Sequence, residues 1–593
     1  MSKERYGCCC FWRKFKLGVA EAPLEIKQLF EKYSDDGIMS LHHFQRFMKE
    51  VQREVADASI ETVFFNIKNQ NITKHVTQNK GLNLEGFFRY LFDGHINPPL
   101  PSPPKVHHNM RAPLSHYFIY TGHNSYLTGN QLSSDSSDVP IIDALHRGVR
   151  VIELDLWPNS TKDEVHVVHG GTLTNPVELI KCLRSIKQHA FATSEYPVIL
   201  TLEDHLTPVL QAKVAKMVTE TFGDMLFISG SESLAEFPSP ELLKRKIIIS
   251  TKPPKEYLES NNLEVVPTAD EHKQKKSSEE KAWGTEVSDI GRKMEVLKEI
   301  EVEDGEALIE EGVQDERSSL KHYIDPEYKH LIAIRARKRK GGINDWLHDD
   351  PNKVTRISLR EQNLESAVID HGADVIRFTR RNLLRIFPKG SRVDSSNYNP
   401  FIGWMYGAQM VAFNMQGHGR SLWLMQGFFR ANGGCGYVKK PDFLLKIGPS
   451  NEVFDPKRTY PVKRTLKLKI YMGEGWHQDF DETHFDIYSP PDFYVKVGIA
   501  GVPNDSVMRK TKTIQDKWIP TWNEEFEFPL TVPELALLRI EVHEYDLSDN
   551  DDFAGQTCLP VAELKTGIRA VPLHNQKGDE YKSVKLLIRF QFI

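Results

Sequence analysis

Two apolar runs of the chain carry polar side chains of the types that bind metal ions. His123 and Asn124 follow one run, and Glu153 and Asp155 occupy alternate positions within the run 149–156. Alternate residues of a β-strand lie on one face, so this pattern predicts that the two carboxylates point the same way. Two adjacent carboxylates in a core are costly unless a cation or a proton compensates them.

A third carboxylate, Glu203, ends the apolar run 196–203. Together with Asn124 it could complete a site made only of oxygen ligands. Such ligands suit a hard cation, Ca²⁺ or Mg²⁺, rather than zinc.

The segments around these residues resemble the X and Y regions of eukaryotic phosphoinositide-specific phospholipase C. The segments that resemble the X region are GHNSYLTGNQL, RVIELDLW, VVHGGTLT and YPVILTLEDH. Those that resemble the Y region are SSNYNPFIGW, AQMVAFNMQG and GFFRANGGCGYVKKP. These motifs follow the family's order. The resemblance implies Ca²⁺-dependent hydrolysis of phosphatidylinositol 4,5-bisphosphate, and of the monophosphate, to diacylglycerol and inositol phosphate. The resemblance further implies that the reaction proceeds through a cyclic phosphate at a membrane surface and serves intracellular lipid signalling.

The resemblance also implies roles for individual side chains. His123 stabilises charge on the phosphoryl group, and His169 is the general acid that protonates the leaving group. Glu153 or Glu203 removes the proton of the inositol 2-hydroxyl, and Glu153 is favoured. The implied ligands of the catalytic Ca²⁺ are Asn124, Glu153, Asp155 and Glu203.

Headgroup binding is assigned by the same resemblance to Lys252, Ser358, Arg385 and Phe387. Animal relatives have a tyrosine where Phe387 stands, so the aromatic ring is kept and the hydroxyl is lost. They have a second lysine at the position of Ser250. Both departures predict looser discrimination between monophosphate and bisphosphate.

The rim of the expected active site also departs from the animal pattern. Animal relatives carry aromatic residues where Gly171 and Ser391 stand, whereas Leu132 and Leu173 remain. We therefore expect weaker insertion of the rim into a membrane.

The region 20–97 predicts amphipathic helices, because apolar residues recur there at helical spacing. The loop around Gly37 resembles an EF-hand, but Lys32 and His43 stand at loop positions one and twelve. Neither supplies the carboxylate that Ca²⁺ binding needs. We interpret the region as a degenerate EF-hand-like helical pair with a packing role.

Strands and helices alternate through 108–252 and again through 323–441. This alternation predicts a parallel α/β sheet or barrel, and the resemblance implies a TIM-like barrel split into X and Y halves. Between the halves, 255–322 is rich in Lys and Glu and poor in apolar residues, which predicts a disordered acidic linker. In relatives such a linker represses the active site; a solvated tether is the alternative.

Regular short strands over 463–593 predict an antiparallel β-sandwich, and PDFYVKV, PTWNEEFEF and HEYDLSDNDDFAG resemble a C2 domain. Glu544 stands where many relatives carry Asp. Solvated loop carboxylates are the alternative to a calcium site. The candidate C2 calcium ligands are Asp492, Asp516, Glu544, Asp546 and Asp552.

Composition limits the remaining function classes. The net charge of −5 provides no global field for nucleic acid, and the six cysteines form neither a disulfide framework nor a zinc spacing. No apolar run approaches the ~18 residues that span a bilayer, and no signal-peptide core is present. We expect a monomeric cytoplasmic protein, peripheral at the plasma membrane.

The layout of EF-like, X, Y and C2 regions without a pleckstrin-homology domain resembles the plant form of the family. Recruitment would then depend on the C2 loops and on S-acylation of Cys8, Cys9 and Cys10 beside basic and aromatic residues. Two other functions remain open. One is a catalytically weak calcium-regulated membrane adaptor, and the other is a related metal-dependent phosphodiesterase with a soluble substrate.

Overall fold

The structure is a computed structural model that divides into two units, described one at a time below. The first unit comprises Met1–Lys105, Gln426–Phe428 and Thr459–Ile593, and the second comprises Val106–Met425 and Phe429–Arg458. The linker predicted over 255–322 lies outside the described residues. Those residues are 3–8, 11–16, 20–54, 58–70, 81–230, 234–252, 326–337, 343–347, 350–449, 451–481, 483–485, 489–546 and 551–593.

The first unit begins with an antiparallel hairpin of strands β1 (Lys3–Cys8) and β2 (Phe11–Lys16), which the sequence pattern did not predict. The predicted helices follow, and their aromatic side chains form one apolar cluster. The helices are α1 (Leu24–Lys32), α2 (Leu41–Glu50), α3 (Ala58–Gln70) and α4 (Leu84–Phe92).

The loop between α1 and α2 keeps the shape of an EF-hand. Ser40 caps α2 by accepting a hydrogen bond from the backbone N–H of His43. Met39 pairs with Leu82 in a short antiparallel bridge, which joins the segment before α2 to the segment before α4. The His43 imidazole lies 3.5 Å from the Asp35 carboxylate.

The second unit is built on a closed barrel of eight parallel strands, counted over the described residues. Along the ring the order is β11, β10, β8, β5, β4, β14, β13 and β12, and a parallel bridge between Ala336 and Arg356 closes it. The strands of this unit are β3 (Tyr117–Ile119), β4 (Thr121–Gly122), β5 (Val151–Pro158), β6 (Val165–Val167), β7 (Val177–Glu178), β8 (Val198–Asp204), β9 (Leu226–Phe227), β10 (Ile247–Thr251), β11 (Ile332–Arg335), β12 (Arg356–Arg360), β13 (Leu383–Phe387), β14 (Met410–Phe413) and β15 (Tyr437–Lys439).

Helices alternate with these strands, as the sequence pattern predicted. Each predicted half supplies four strands of the ring: β4, β5, β8 and β10 precede the linker, and β11 to β14 follow it. Together with the ring closure, this confirms the split TIM-like barrel. The helices are α5 (Val139–His146), α6 (Leu179–His189), α7 (Pro208–Phe222), α8 (Pro326–Leu331), α9 (Ile343–Trp346), α10 (Glu361–Thr379), α11 (Phe401–Trp404), α12 (Arg420–Phe428) and α13 (Asp442–Leu445).

The C-terminal part of the first unit is the predicted antiparallel sandwich. A single residue pair, Gln556 with His574, joins two four-stranded layers. Alternate residues such as Leu466, Leu468 and Ile470 point into the core between the layers. The strands are β16 (Arg464–Glu474), β17 (Phe493–Ala500), β18 (Val507–Lys510), β19 (Thr521–Leu530), β20 (Leu537–Glu544), β21 (Asp552–Pro560), β22 (Gly567–His574) and β23 (Glu580–Phe592), with helix α14 (Trp476–Asp479) between the first two.

Within the first unit, the helices and the sandwich share buried polar contacts. The Gln52 side chain donates to the carbonyl of Ile568 at 2.8 Å, and Arg569 donates to the carbonyl of Gln52 at 2.8 Å. Gly567 adopts φ +108°, and a Cβ there would lie 2.2 Å from Gln52 Oε1. Only glycine therefore fits this approach of the two parts.

Across the described parts of the chain, every helix is too short or too polar to cross a bilayer.

Candidate active site

Three carboxylates meet where strands β5 and β8 run side by side. One oxygen each from Glu153, Asp155 and Glu203 lies within 4.8 Å of the others. Asp155 and Glu203 are neighbours in the parallel register of the two strands, and Glu153 shares the face of Asp155. The side chains of Glu153 and Asp155 are buried, whereas that of Glu203 is 56% exposed. The convergence expected from alternate positions and from the third apolar run is present.

The pKa values of Asp155 and Glu203 shift in opposite directions. Burial raises the pKa of Asp155 well above its usual range, and the negative charges of Glu203 and Glu153 raise it further. Partial burial of Glu203 against the barrel raises its pKa, but the hydrogen bond from His205 and the charges of His205, Lys252 and Arg385 outweigh this effect and lower that pKa to about 2. A positive charge beside Asp155 would therefore compensate the negative charge of this cluster.

The donor set fits a hard cation. Tyr126 donates its hydroxyl proton to Asp155 Oδ2 at 2.7 Å, but the buried Oδ1 has no hydrogen-bond partner among the described residues. Such an unpaired carboxylate oxygen, beside two further carboxylates, is the environment that Ca²⁺ favours.

Asn124 adjoins the cluster from the turn after β4. It adopts φ +41°, a conformation that Asn tolerates better than most residues. Its backbone N–H donates to Glu153 Oε2 at 3.3 Å. Its amide nitrogen donates to Gln131 Oε1 at 3.0 Å, which leaves Oδ1 as the amide atom available to a cation.

Two arginines balance part of this negative charge. Arg385 donates through Nη2 to Glu153 Oε2 in a buried ion pair. Arg356 donates to Thr201 Oγ1 at 3.1 Å, and burial, with a contribution from the Arg385 charge, lowers the pKa of this guanidinium to about 9. The Nε of each arginine lacks a hydrogen-bond partner within the described part of the chain.

The predicted headgroup residues surround Arg385. Ser358 is its register partner on the adjacent strand, and the Arg385 guanidinium carbon lies 5.3 Å from the centre of the Phe387 ring. Lys252, just after β10, is exposed and acts on Glu203 through its charge. Ser250 is buried and donates to the carbonyl of Ile334 at 3.2 Å, so it adds no positive charge here.

The two predicted catalytic histidines have defined hydrogen-bond partners. His123 Nδ1 lies 2.9 Å from Asn414 Oδ1, and its Nε2 lies 4.0 Å from Glu153 Oε2. His169 Nδ1 lies 2.7 Å from the carbonyl oxygen of Gln131. A carbonyl oxygen only accepts, so the Nδ1 of His169 carries a proton and Nε2 is the atom available for proton transfer.

The environment of His123 disfavours its charged form. Burial lowers the pKa of His123, and the negative charge of Glu153 opposes this effect in part. The imidazole lies parallel to the Phe387 ring, with an angle of 2° and 6.5 Å between the ring centres.

Four buried residues of the site were not singled out from the sequence. Tyr126, Gln131 and Asn414 lie within motifs already noted, so a signal for them existed. Arg356 gave no signal, because a single arginine at the start of an apolar strand is usually a surface residue. His166, which lies near His169 in sequence, is on the face of β6 opposite to Val165 and Val167 and is the register partner of Trp157 on β5.

The candidate ligands in the sandwich lie at one end of it. The backbone N–H of Asp516 donates to Asp492 Oδ1, that of Asp492 donates to Glu544 Oε1, and Glu544 pairs with Asp552 across β20 and β21. Asp546 follows on the same loop. The described residues do not bring three of these carboxylates within 4.8 Å of one another. C2 calcium binding stays a prediction.

Comparison with known families agrees with the barrel and its site. The X domain of phosphatidylinositol-specific phospholipase C matches residues 110–253 and the Y domain matches 332–443. The EF-hand-like domain of phosphoinositide-specific phospholipase C matches 22–97, and a C2 domain matches 464–576. The chain belongs to the phosphoinositide-specific phospholipase C family. It is an enzyme, a phosphoric diester hydrolase.

Relatives of this enzyme span its full length. It is 60% identical to phosphoinositide phospholipase C 2 of Arabidopsis thaliana, over 100% of both chains. It is 30% identical to the mouse 1-phosphatidylinositol 4,5-bisphosphate phosphodiesterase delta-3, over 96% of this chain and 68% of that protein. The crystal structure of S. officinalis PLC21 superposes with a TM-score of 0.70 at 26% identity, over 96% of this chain and 68% of that chain.

Proposed function

We propose that the enzyme hydrolyses phosphatidylinositol 4,5-bisphosphate, and the monophosphate, to diacylglycerol and inositol phosphate in a Ca²⁺-dependent reaction at a membrane surface. The observation that carries this proposal is the cluster of Glu153, Asp155 and Glu203, with carboxylate oxygens within 4.8 Å, in a barrel that also orients two histidines. The same site supports a role in intracellular lipid signalling.

The site that would hold the cation consists of Asn124, Glu153, Asp155 and Glu203. Bound there, Ca²⁺ would acidify the inositol 2-hydroxyl and neutralise charge on the phosphate. The unpaired Asp155 Oδ1 and the raised pKa of Asp155 support this assignment.

The remaining chemistry falls to side chains of the chain itself. Glu153 accepts the proton of the 2-hydroxyl, whose oxygen then attacks phosphorus, and His123 Nε2 stabilises charge on a phosphoryl oxygen. His169 Nε2 protonates the departing diacylglycerol oxygen, which leaves a cyclic inositol phosphate. His169 then removes a proton from water, whose oxygen attacks phosphorus, and the 2-oxygen leaves with the proton that Glu153 returns to it. Each such proton transfer contributes about 10²–10⁴-fold to the rate.

Headgroup recognition rests on Arg385, Lys252, Ser358 and Phe387. Arg385 supplies a buried guanidinium, the group that binds phosphate through paired N–H donors, and its Nη2 also holds Glu153. Phe387 offers an aromatic face without a hydroxyl to the inositol ring. The buried Ser250 adds no charge, which favours tolerance of the monophosphate.

Attachment to the membrane would involve the barrel rim and the sandwich loops. Leu132 and Leu173 are 49% and 84% exposed and are joined by a backbone hydrogen bond. We assign a C2 calcium site to the Asp492 loop cluster defined above, with Asp516, Glu544, Asp546 and Asp552. Recruitment to the plasma membrane from the cytoplasm, acylation of Cys8, Cys9 and Cys10, and a monomeric state without nucleic-acid binding complete the proposal.

The deciding experiment measures release of inositol trisphosphate from mixed vesicles across a range of free Ca²⁺. His123→Ala and Glu153→Ala should abolish release while vesicle binding survives. His146→Ala is the control, because this histidine is exposed at the end of α5 and contacts His189 rather than the site, and it should retain wild-type activity. Binding of calcium-loaded protein to vesicles with no release by the wild type would support the adaptor alternative.

A further inference from the structure

One buried residue, Gln131, contacts Asn124, His169 and the hydrogen-bond partner of His123. Gln131 is 6% exposed, and its Oε1 accepts a hydrogen bond from Asn124 Nδ2 at 3.0 Å. Its Nε2 donates to Asn414 Oδ1 at 3.1 Å, and Asn414 in turn holds His123. Its backbone carbonyl accepts from His169 Nδ1 at 2.7 Å.

The hydrogen bonds of this glutamine impose a direction on its neighbours. An amide has one accepting and one donating end, so a Gln131 oxygen facing Asn124 requires the Asn124 nitrogen there. Asn124 Oδ1 is thereby the atom left for a cation. At the other end, Gln131 Nε2 requires the oxygen of Asn414 to face it, and the Asn414 nitrogen donates to the carbonyl of Ser396 at 3.3 Å.

The orientation of Asn414 then determines the orientation of His123. Asn414 Oδ1 can only accept, so His123 donates to it through Nδ1. A rotated Asn414 would place its amide nitrogen against the Gln131 donor and would lose both bonds. Gln131 therefore orients His123 indirectly, through Asn414.

The same residue also anchors the segment that contacts His169. Gln131 Nε2 donates to Ser395 Oγ at 2.8 Å, and Ser395 Oγ donates to the Gly129 carbonyl at 2.7 Å. The Gln131 N–H donates to the Val393 carbonyl at 2.8 Å. These bonds tie the turn after β4, from the X half, to the loop after β13, from the Y half.

We propose that Gln131 is a positioning residue that sets, through one hydrogen-bond network, the orientation of the Asn124 amide, the His123 ring and the His169 ring. It touches no reacting atom in this role. The proposal rests on the roles assigned above to those three residues. Loss of a residue that orients metal ligands and their neighbours typically costs about 10–100-fold in activity or metal affinity.

The test compares Gln131→Met with Gln416→Met in the full chain. Gln416 is a matched control, because it also donates to Ser395 Oγ and to the Gly129 carbonyl, each at 3.3 Å. Gln131→Met should lower kcat about 10–100-fold with little change in KM, and it should raise the free Ca²⁺ needed for half-maximal release. Gln416→Met should stay near wild type.

Two further measurements separate positioning from a general loss of structure. In chelator, deuterium exchange at the Cε1 of His169 should become faster in Gln131→Met and stay unchanged in Gln416→Met. In an Asn414→Ala background, Gln131→Met should lower kcat by a much smaller factor than it does in the wild type, because part of the network is already broken.

Several outcomes would overturn the inference. They are a kcat within about threefold of wild type, additive effects of Gln131→Met and Asn414→Ala, or unchanged His169 exchange. If Gln131→Met does not fold, Gln131→Glu replaces it, because it keeps the shape and the acceptor for Asn124 but, when ionised, loses the donor for Asn414. If His123→Ala also retained activity, the roles proposed for the site would fail, and not Gln131 alone.

Discussion

Replacing Asp155 by Asn should stabilise the calcium-free enzyme while abolishing its activity. Two unit charges no more than 4.8 Å apart repel by at least about 3.5 kcal/mol at an effective dielectric constant of about 20. Glu203 is 56% exposed, so solvent screens its contribution, and Arg385 offsets part of the Glu153 charge. We therefore expect about 1–3 kcal/mol of stabilisation in chelator at pH 8, since Asn keeps an acceptor for Tyr126.

The pH dependence gives this prediction its sign. The raised pKa of Asp155 means that the folded protein keeps a proton that the unfolded chain, with a pKa near 3.8, has lost. The stability contributed by this group is fully present below that value and is lost as pH rises through the raised pKa. The stability advantage of Asp155→Asn should therefore be largest at alkaline pH and should shrink as pH falls toward about 4.

The assay is thermal unfolding in chelator and in Ca²⁺ across pH, with Asp143→Asn as a control at an exposed carboxylate of α5. About 1 kcal/mol corresponds to about 2–4 °C for a domain of 150–250 residues. Ligand at 100 times its Kd adds about 2.7 kcal/mol to the wild type, and Asp155→Asn should gain less. An unfolding temperature below wild type in chelator at pH 8, or an advantage that grows on acidification, would refute the reasoning.

Three further predictions concern other contacts. Tyr126→Phe removes the donor to buried Asp155 and should lower the free energy of unfolding by about 1–3 kcal/mol, measured by denaturant titration; an unchanged midpoint would contradict it. Leu173→Glu should reduce vesicle binding and vesicle hydrolysis without changing the unfolding temperature. Leu242→Glu, at a residue 74% exposed, should leave vesicle binding and hydrolysis unchanged; equal effects of the two variants would show that the rim has no specific role in membrane binding. Gly567→Ala should lower the free energy of unfolding by more than about 1 kcal/mol, because a Cβ would meet the Gln52 side-chain oxygen at 2.2 Å, and thermal unfolding measures the loss. Wild-type stability would show that the loop adapts.

Much of the architecture was predictable because its signals are local. Apolar periodicity identified the N-terminal helices, the barrel strands and the sandwich, because the spacing of apolar residues within a segment indicates whether that segment forms a helix or a strand. The hairpin β1–β2 was missed because charged residues interrupt any alternation there. The domain boundaries and the C2 calcium ligands stay predictions.

The sequence alone determined the types of side chain in the site and the order of the motifs, including the alternate carboxylates Glu153 and Asp155 that must share one face of a strand. Only the tertiary structure decided which distant residues meet them. Arg385 reaches Glu153 from 232 positions away, and Asn414 reaches His123 from 291 positions away. Those contacts depend on how eight strands close into a ring with a particular register, and register is a property of the folded chain that no single segment encodes.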